Sequence, residues 1–296
     1  SNANYQKAAS YLAKATSVSD YSEVLGRLIP AQNRVGLGGV LTTAEWGRSI
    51  NTMLARNILL NKIAPFVNGT MGTIGSLAPI TKSSASAMTA ADWDAVLTYA
   101  NNGIKQGDHV FTGRTTTNNS FFTAPGGSSA AISAGKNTVT TYKVSERVVQ
   151  DFNTGDARKA NNFNTNTTFI NNYSFTTRYS LIDGGLGTPG VFSYGTRTVG
   201  AYELLFAGSF EENALMLAEA NIWKGSVNTA LGQIDAVRVL QGAGLPALAG
   251  TGLNANQALT ELTKERRVAL MFRGLSFFDM RRWGWIYGEA NGGGRF

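Results

Sequence analysis

Segments with helical periodicity and a capping residue at their start lie towards both ends of the chain. Thr42 and Thr89 are each followed three positions later by an acidic residue, and Ser209 opens a third segment in the same way. This pattern is typical of a helix N-terminus, where the hydroxyl and the carboxylate satisfy free backbone N–H groups. Apolar residues then recur three and four positions apart. An amphipathic helix must bury its apolar side against another element, so the pattern predicts a mostly α-helical fold built from helix pairs.

The helices predicted from these signals span about 4–16, 42–61, 89–104, 209–224, 226–240 and 256–272, with a short one over 145–152. Gly225 allows only a minimal turn between two of them, which predicts an αα-hairpin. Two apolar stripes are expected to face the core. They are Tyr5, Ala8, Ala9, Leu12 and Ala13 in the first helix, and Trp46, Ile50, Met53, Leu54 and Ile58 in the second.

Residues 107–200 differ from both ends. They are rich in Gly, Asn, Thr and Ser, and helical periodicity mostly fails. Aromatic residues alternate with other side chains over 173–179 and 192–198, which indicates short strands. We interpret this part as a long irregular excursion inserted between helical pairs. A poorly ordered surface insertion is the alternative, although aromatic residues every few positions argue against full disorder.

We predict a single domain over 1–296. Residues 1–3 look like the remnant of a cleaved tag, 4–106 form helical pairs, 107–200 form the excursion, and 201–296 form further helical pairs with a C-terminal signature. Because the chain starts abruptly inside a helical pattern, we expect it to be truncated at its N-terminus. Any signal peptide or lipid-anchor cysteine would then lie upstream.

Composition excludes several kinds of function. The net charge is +7, but the basic residues are scattered, so nucleic-acid binding is not expected. The chain has no cysteine, which excludes disulfides, thiol catalysis, thiolate zinc sites and iron–sulfur clusters. It has no run of 18 apolar residues that could span a bilayer.

Catalytic residues are hard to find. The only histidine, His109, follows Asp108, and a lone histidine is usually a surface or core residue. A glycosidase needs two facing carboxyl groups, and the sequence leaves open that Asp151, Asp156 or Asp183 pair in space. The acid-rich spacing of a calcium loop is missing after Asp183, so we expect no metal and no cofactor.

Ion pairing and packing are the expected roles of two other sets of residues. Asp156 and Arg158 are interpreted as an ion pair that orders a turn, and a ligand contact is the alternative. The five tryptophans are expected to pack in the core; they are Trp46, Trp93, Trp223, Trp283 and Trp285.

The most specific stretch spans 265–284. A helix is expected to end at Gly274, and a further helical turn then places Asp279 and Arg282 three positions apart, close enough to pair. Aromatic residues of this turn are expected to anchor it to the core; they are Phe277, Phe278 and Trp283.

This stretch resembles the C-terminal signature of the SusD/RagB family. The matching positions are Glu265, Arg266, Arg267, Leu270, Gly274, Phe278, Asp279, Arg282, Trp283 and Gly284. Residues 212–220, 230–238, 46–59, 93–104 and 156–158 are also similar to family segments. The sequence departs from the pattern at Ala269, Arg273 and Ser276, which bears on the family's buried ion pairs rather than on its fold.

The resemblance implies a scaffold of tetratricopeptide-like helix pairs with an irregular face that carries the ligand site. It implies a lipid-anchored protein at the outer face of a Gram-negative outer membrane. Such a protein captures glycans or peptides for a SusC-like TonB-dependent transporter and performs no chemistry.

Capture of a nutrient oligosaccharide is therefore the first functional hypothesis. A helical-repeat scaffold that binds only peptides or protein partners is the alternative, and a hydrolase that uses dispersed carboxylates is the third. The candidate ligand-binding residues combine rings that stack with amide and guanidinium donors. They are Tyr173, Tyr179, Phe192, Tyr194, Asn171, Asn172, Arg178 and Arg197. The alternative for the rings is that they form a small core of the excursion itself.

Overall fold

A computed structural model describes residues 2–15, 41–61, 88–110, 112–114, 146–165, 179–182, 189–191, 203–205, 208–271 and 273–283. The helices are α1 (Asn2–Ala15), α2 (Thr43–Asn61), α3 (Ala90–Asn101), α4 (Glu146–Gln150), α5 (Ala157–Asn162), α6 (Phe210–Trp223), α7 (Val227–Leu240), α8 (Ala255–Ala269) and α9 (Leu275–Arg282). The strands are β1 (Thr112–Arg114), β2 (Phe163–Thr165), β3 (Tyr179–Leu181) and β4 (Glu203–Leu205). Helices dominate these parts of the chain, which confirms the predicted fold class. In the same residues, no helix combines the length and the apolar character that crossing a bilayer requires.

Most predicted helix starts are confirmed by their caps. The Thr42 backbone N–H donates to the Glu45 carboxylate at 2.7 Å, and Thr42 Oγ1 accepts from the Glu45 N–H at 3.2 Å. Thr89 and Asp92 form the same reciprocal box before α3. Helix α8 begins at Ala255, one residue earlier than predicted, because Asn254 and Gln257 form a capping box that the sequence analysis missed.

Two caps differ from the prediction. Ser209 accepts from the Glu212 N–H at 3.3 Å, but the Glu212 carboxylate accepts hydrogen bonds from Arg56 of α2. Ser226 stands at the start of α7 and makes no capping hydrogen bond with its side chain. The expected turn between α6 and α7 is present, and Gly225 takes a left-handed φ of 82° there.

Helix α6 is the centre of the scaffold. On one side it packs against α7 and α8 through a cluster that includes Leu215, Leu231, Ile234 and Leu262. Its other side, through Met216 and Ala220, meets a second cluster formed by α2 and α3. Because α6 is covered from both sides, it is apolar around most of its circumference.

The predicted apolar stripe of α2 coincides only in part with its buried side, and the half-buried Ile58 packs against the cluster of α2, α3 and α6. Of its five residues only Leu54 is buried, and the buried side of α2 also contains Glu45, Ser49 and Thr52. Glu45 and Thr52 are tolerated because they find partners inside. Thr52 Oγ1, for example, donates to Asn213 Oδ1 at 3.0 Å and accepts from the Ile104 N–H at 2.9 Å.

The first helix also differs from the prediction. Tyr5 and Leu12 are half-buried against α2, while the three alanines of the predicted stripe are exposed. The structure includes Asn2 in α1, where its Oδ1 accepts a hydrogen bond from Asn57 of α2 at 2.8 Å. Part of the expected tag remnant therefore contributes to the described helix.

The strands form two small antiparallel sheets, β1 with β4 and β2 with β3. Helix α4 confirms the short helix expected over 145–152, whereas α5 was not predicted. Of the predicted strand over 173–179, only Tyr179 lies within the described residues, and it begins β3. The predicted strand over 192–198 lies outside them.

The aromatic residues divide between core and surface. Trp93 is buried, Trp46 and Trp283 are half-buried, and Trp285 lies outside the described residues. Core packing was the wrong prediction for Trp223, which is 56% exposed. It was also wrong for Phe277 and Phe278, because Asp279 and Arg282 occupy the inward side of α9 and the two rings, packed edge to face, lie on its exposed side.

Candidate ligand-binding site

Arg158 is the centre of a buried network of charges at the base of the excursion. Asp156 is the N-cap of helix α5 and pairs with Arg158 at 2.7 Å. Arg158 Nη1 also donates to the Glu265 carboxylate at 2.5 Å and to Gln241 Oε1 at 2.9 Å. Burial lowers the pKa of Arg158, but the hydrogen bonds that it donates to Asp156 and Glu265 outweigh this effect, and the net pKa is raised. The guanidinium therefore stays charged.

A second network holds α9 against α6. Asp279 pairs with Arg282 at 2.7 Å, as predicted, and accepts from Arg266 Nε at 2.8 Å. Arg282 also donates to both oxygens of Glu219, which accepts from Trp283 Nε1 as well. Burial raises the pKa of Asp279, but the charges of Arg266 and Arg282 outweigh it, so the net pKa lies below its usual range.

Departures from the C-terminal pattern do not abolish these networks. The two clusters are present although Ala269 and Ser276 lack charges. Arg273 donates to Ser209 Oγ at 2.6 Å and pairs with Glu211 at 3.3 Å. An arginine at this position is thus accommodated by a carboxylate from α6.

The Arg158 network supports described parts of the excursion. Asn162, at the end of α5, donates to the carbonyl oxygens of Arg158 and Gly190 at 2.8 Å and 2.7 Å. The backbone carbonyl of Asn162 accepts from the N–H of Ile182, the residue just after β3, at 2.9 Å. Gly190 has a φ of 76°, and a Cβ there would lie 2.2 Å from the Gln241 carbonyl oxygen. Asn162 therefore joins the end of β3 to the turn at 189–191.

Tyr179 is the only predicted site residue that the structure describes. It is half-buried and packs against a small cluster that includes Phe152, Phe163 and Met271. The Nζ of Lys159 lies 5.3 Å from the centre of its ring. Tyr179 thus combines a packing contact with a cationic neighbour.

The other predicted site residues lie outside the described residues, so their roles remain predictions. They are Tyr173, Phe192, Tyr194, Asn171, Asn172, Arg178 and Arg197. Phe192 follows directly after the described turn at 189–191. Lys159 was missed by the sequence analysis. The signal for it was the capping residue Asp156, from which a short helix places Lys159 one turn away.

Two of the three aspartates considered for catalysis are engaged in ion pairs. Asp151 pairs with Arg267 at 2.6 Å; its burial raises its pKa and the arginine opposes this. Asp156 pairs with Arg158, as predicted from the sequence, and Asp183 lies outside the described residues. In the described parts of the chain, no group of three His, Cys, Asp or Glu side chains could hold a metal ion.

The single histidine lies beside a buried carboxylate. Glu45 accepts from the His109 backbone N–H at 2.8 Å, and His109 Nδ1 lies 3.1 Å from the same oxygen. Burial raises the pKa of Glu45, but hydrogen bonds from Thr42 and His109 outweigh it and lower the pKa to about 2. Arg48 and Asp108 form a bidentate pair nearby. This arrangement ties the segment after α3 to the start of α2.

Packed helices that are joined to one another and to α5 by buried arginine–carboxylate pairs define a helical scaffold. Residues 212–294 match the family model described as the SusD family. This segment carries the C-terminal signature, and the match confirms the resemblance found there.

Solved structures of this superfamily are similar to the chain over most of its length. A SusD superfamily protein from Bacteroides fragilis is 16% identical, with a TM-score of 0.47 over 89% of this chain and 58% of that chain. A SusD superfamily protein from Bacteroides vulgatus is 15% identical, with a TM-score of 0.45 over 90% and 56%. A SusD-like protein from Bacteroides fragilis is 13% identical, with a TM-score of 0.46 over 89% and 67%. The chain thus spans less than two thirds of the first two proteins. None of the curated proteins matches it.

Proposed function

We propose that this chain is part of a non-catalytic protein that captures a nutrient oligosaccharide at the cell surface and delivers it to a SusC-like TonB-dependent transporter. The observation that carries this proposal is the match of residues 212–294 to the SusD family. A lipid anchor outside this chain would hold the protein at the extracellular face of the outer membrane. The proposed domain is the whole of 1–296, with the ligand bound by the excursion over 107–200.

The surroundings of Tyr179 support a ligand site in the excursion. The half-buried Tyr179 ring and the Lys159 ammonium over it combine an aromatic surface with a hydrogen-bond donor, the two features that hold polar ligands with apolar faces. Asn162 joins this strand to the turn that precedes Phe192. The proposed contact residues are therefore Tyr179 and Phe192, with the remaining residues of the predicted set around them.

The pairing of the candidate carboxylates supports binding rather than hydrolysis. A glycosidase acid must be free to give up its proton beside the substrate. The Asp156 carboxylate is instead buried against Arg158, and Asp151 faces Arg267. We therefore propose no reaction and no cofactor for this chain.

Calorimetric titration with gluco-, manno- and xylohexaose, and with a mixed peptide library, tests the proposal. We expect one hexaose to bind, and Tyr194→Ala to weaken binding about ten- to a hundred-fold with an unchanged melting temperature. Tyr179→Phe, which keeps the packing and the ring, should bind nearly as well as the parent chain. Tyr11→Ala removes an exposed ring of α1 and serves as the control.

Two results would contradict the proposal. Binding of peptides alone would favour the scaffold alternative. Release of reducing ends from a hexaose by the purified chain, lost in Asp151→Asn, would favour a hydrolase.

A further inference from the structure

An exposed tryptophan lies on the helical scaffold, away from the excursion in sequence. Trp223, the last residue of α6, is 56% exposed, and its ring stacks on that of Trp93 in the first turn of α3. The ring centres are 5.9 Å apart and the planes differ by 13°. Trp93 is 7% exposed and packs in the cluster between α2, α3 and α6. A buried ring thus fixes the orientation of an exposed one, so a ligand would meet a preformed surface.

Charged groups of both signs lie at the two helix ends that carry these rings. The residues that follow the two tryptophans in sequence, Asp94 and Lys224, form an ion pair at 2.8 Å. Their side chains are 58% and 35% exposed. An ion pair between side chains this exposed contributes little to stability. Stabilisation of the fold therefore does not explain why the two charges lie here. The Asp94 carboxylate can accept hydrogen bonds from hydroxyl groups, and the Lys224 ammonium can donate to hydroxyl or ring oxygens.

We propose that Trp223, supported by Trp93 and flanked by Asp94 and Lys224, binds a pyranose ring of a carbohydrate. The face of an aromatic ring is electron-rich and attracts the weakly positive C–H groups on one face of a sugar. The hydroxyl groups at the edge of the same sugar reach the carboxylate and the ammonium. This site stands on these four residues and does not require the excursion to bind a ligand.

A sugar fits these observations better than a protein partner. A specific protein interface buries about 800 Å² on each side and has an apolar centre. The other large apolar side chains exposed among the described residues belong to α1, α7 and α9; they are Tyr11, Val239, Phe277 and Phe278. On α3 and α6, the described helices concerned, Trp223 is the exposed large apolar side chain, and it is bordered by opposite charges. One ring with two polar neighbours matches a monosaccharide unit.

Fluorine NMR of the chain labelled with 5-fluorotryptophan tests the proposal. The resonance of Trp223 is assigned by its loss in Trp223→Phe, and gluco-, manno- and xylohexaose are titrated in turn. We expect the Trp223 signal to move with at least one hexaose, with a dissociation constant on the order of 1 mM, as a site of this size allows. Asp94→Asn and Lys224→Gln should each weaken that response several-fold. Trp223→Ala, followed by the Trp93 signal, should weaken it at least about ten-fold.

Val239→Ala provides the matched control, since it removes another exposed apolar side chain of the scaffold. A Trp223 signal that stays unchanged with all three hexaoses would overturn the proposal. Loss of self-association or of transporter binding in Trp223→Ala, with no response to sugar, would assign the ring to a protein contact instead. Tyr194→Ala should leave the Trp223 response intact, so failure of the excursion site and failure of this site are distinguished.

Discussion

Replacing Glu265 tests whether buried arginine–carboxylate pairs stabilise this fold. Its carboxylate is 2% exposed and accepts from Arg158 Nη1 at 2.5 Å and Nη2 at 3.1 Å, and from Arg238 Nε at 2.9 Å. Glu265→Ala would leave two buried guanidinium groups short of an acceptor. Removing one partner of a buried pair costs about 3–5 kcal/mol.

The loss of stability expected for each variant depends on the partners that Arg158 and Arg238 keep. Arg158 keeps Asp156, and Arg238 keeps Glu261 at 2.7 Å, so the loss in Glu265→Ala should be about 3–4 kcal/mol. In Glu265→Gln the amide oxygen still accepts one hydrogen bond while the charge is lost. We expect about 2 kcal/mol for that variant.

Urea unfolding followed by far-ultraviolet circular dichroism measures both losses. Glu261→Gln is the matched control, because this carboxylate also pairs with Arg238 but its side chain is 20% exposed. It should cost less than about 1 kcal/mol. If Glu265→Gln costs no more than this control, burial does not strengthen the pair and the reasoning is wrong.

Three further results are expected. Hydrogen bonds outweigh burial and lower the pKa of Glu45 from 4.5 to about 2. The carboxylate therefore stabilises the fold fully above pH 4.5, and this contribution is lost as the pH falls towards 2. Thermal unfolding measured across this range should show a loss of about 1–2 kcal/mol that is absent in Glu45→Gln. Gly190→Ala should lower the melting temperature clearly more than Gly225→Ala, since both have a left-handed φ but only the first Cβ meets a backbone oxygen. Phe278→Ala should cost less than about 1 kcal/mol in urea unfolding, because the ring is 37% exposed; a loss typical of core aromatics would show that it is anchored after all.

Helix positions were predictable because their signals are local. A cap joins residues three positions apart, as Thr42 joins Glu45, and the turn at Gly225 needs only one left-handed residue. Such features are visible in any short window of sequence. The predicted bounds of α2, α6 and α7 accordingly lie within one residue of the observed ones.

Burial was less predictable, because it depends on partners far away in sequence. Thr52 is buried because its hydroxyl donates to Asn213. The Glu212 carboxylate accepts from Arg56 of α2 instead of completing a capping box with Ser209. In the opposite direction, Trp223 is exposed although it ends an apolar helix. A stripe of apolar residues predicts that a helix has an inner side, but satisfied polar groups can widen or rotate that side.

The candidate site shows the same division. Tyr179 was chosen from strand alternation, and it does begin a strand. Lys159 and Asn162 were not chosen, since their contacts with Tyr179 and Gly190 span 20 and 28 residues. The motif of Asp156 and Arg158 indicated an ion pair, but Glu265 and Gln241 join that pair from the other end of the chain.

Arg273 illustrates why a family pattern constrains charge pairing more than residue identity. The pattern has a glutamate at this position, yet here the arginine donates to Ser209 Oγ and pairs with Glu211 at the start of α6. A cation near a helix N-terminus is unfavourable because of the helix dipole, but Glu211 supplies the opposite charge in direct contact. Burial raises the pKa of Glu211, and the charge of Arg273 outweighs it and keeps the pKa below its usual range. A glutamate at 273 would place two carboxylates together and force one to take up a proton. Arg273 and Glu211 are therefore a matched pair, and the departure from the family pattern at 273 is explained only when its partner in α6 is considered with it.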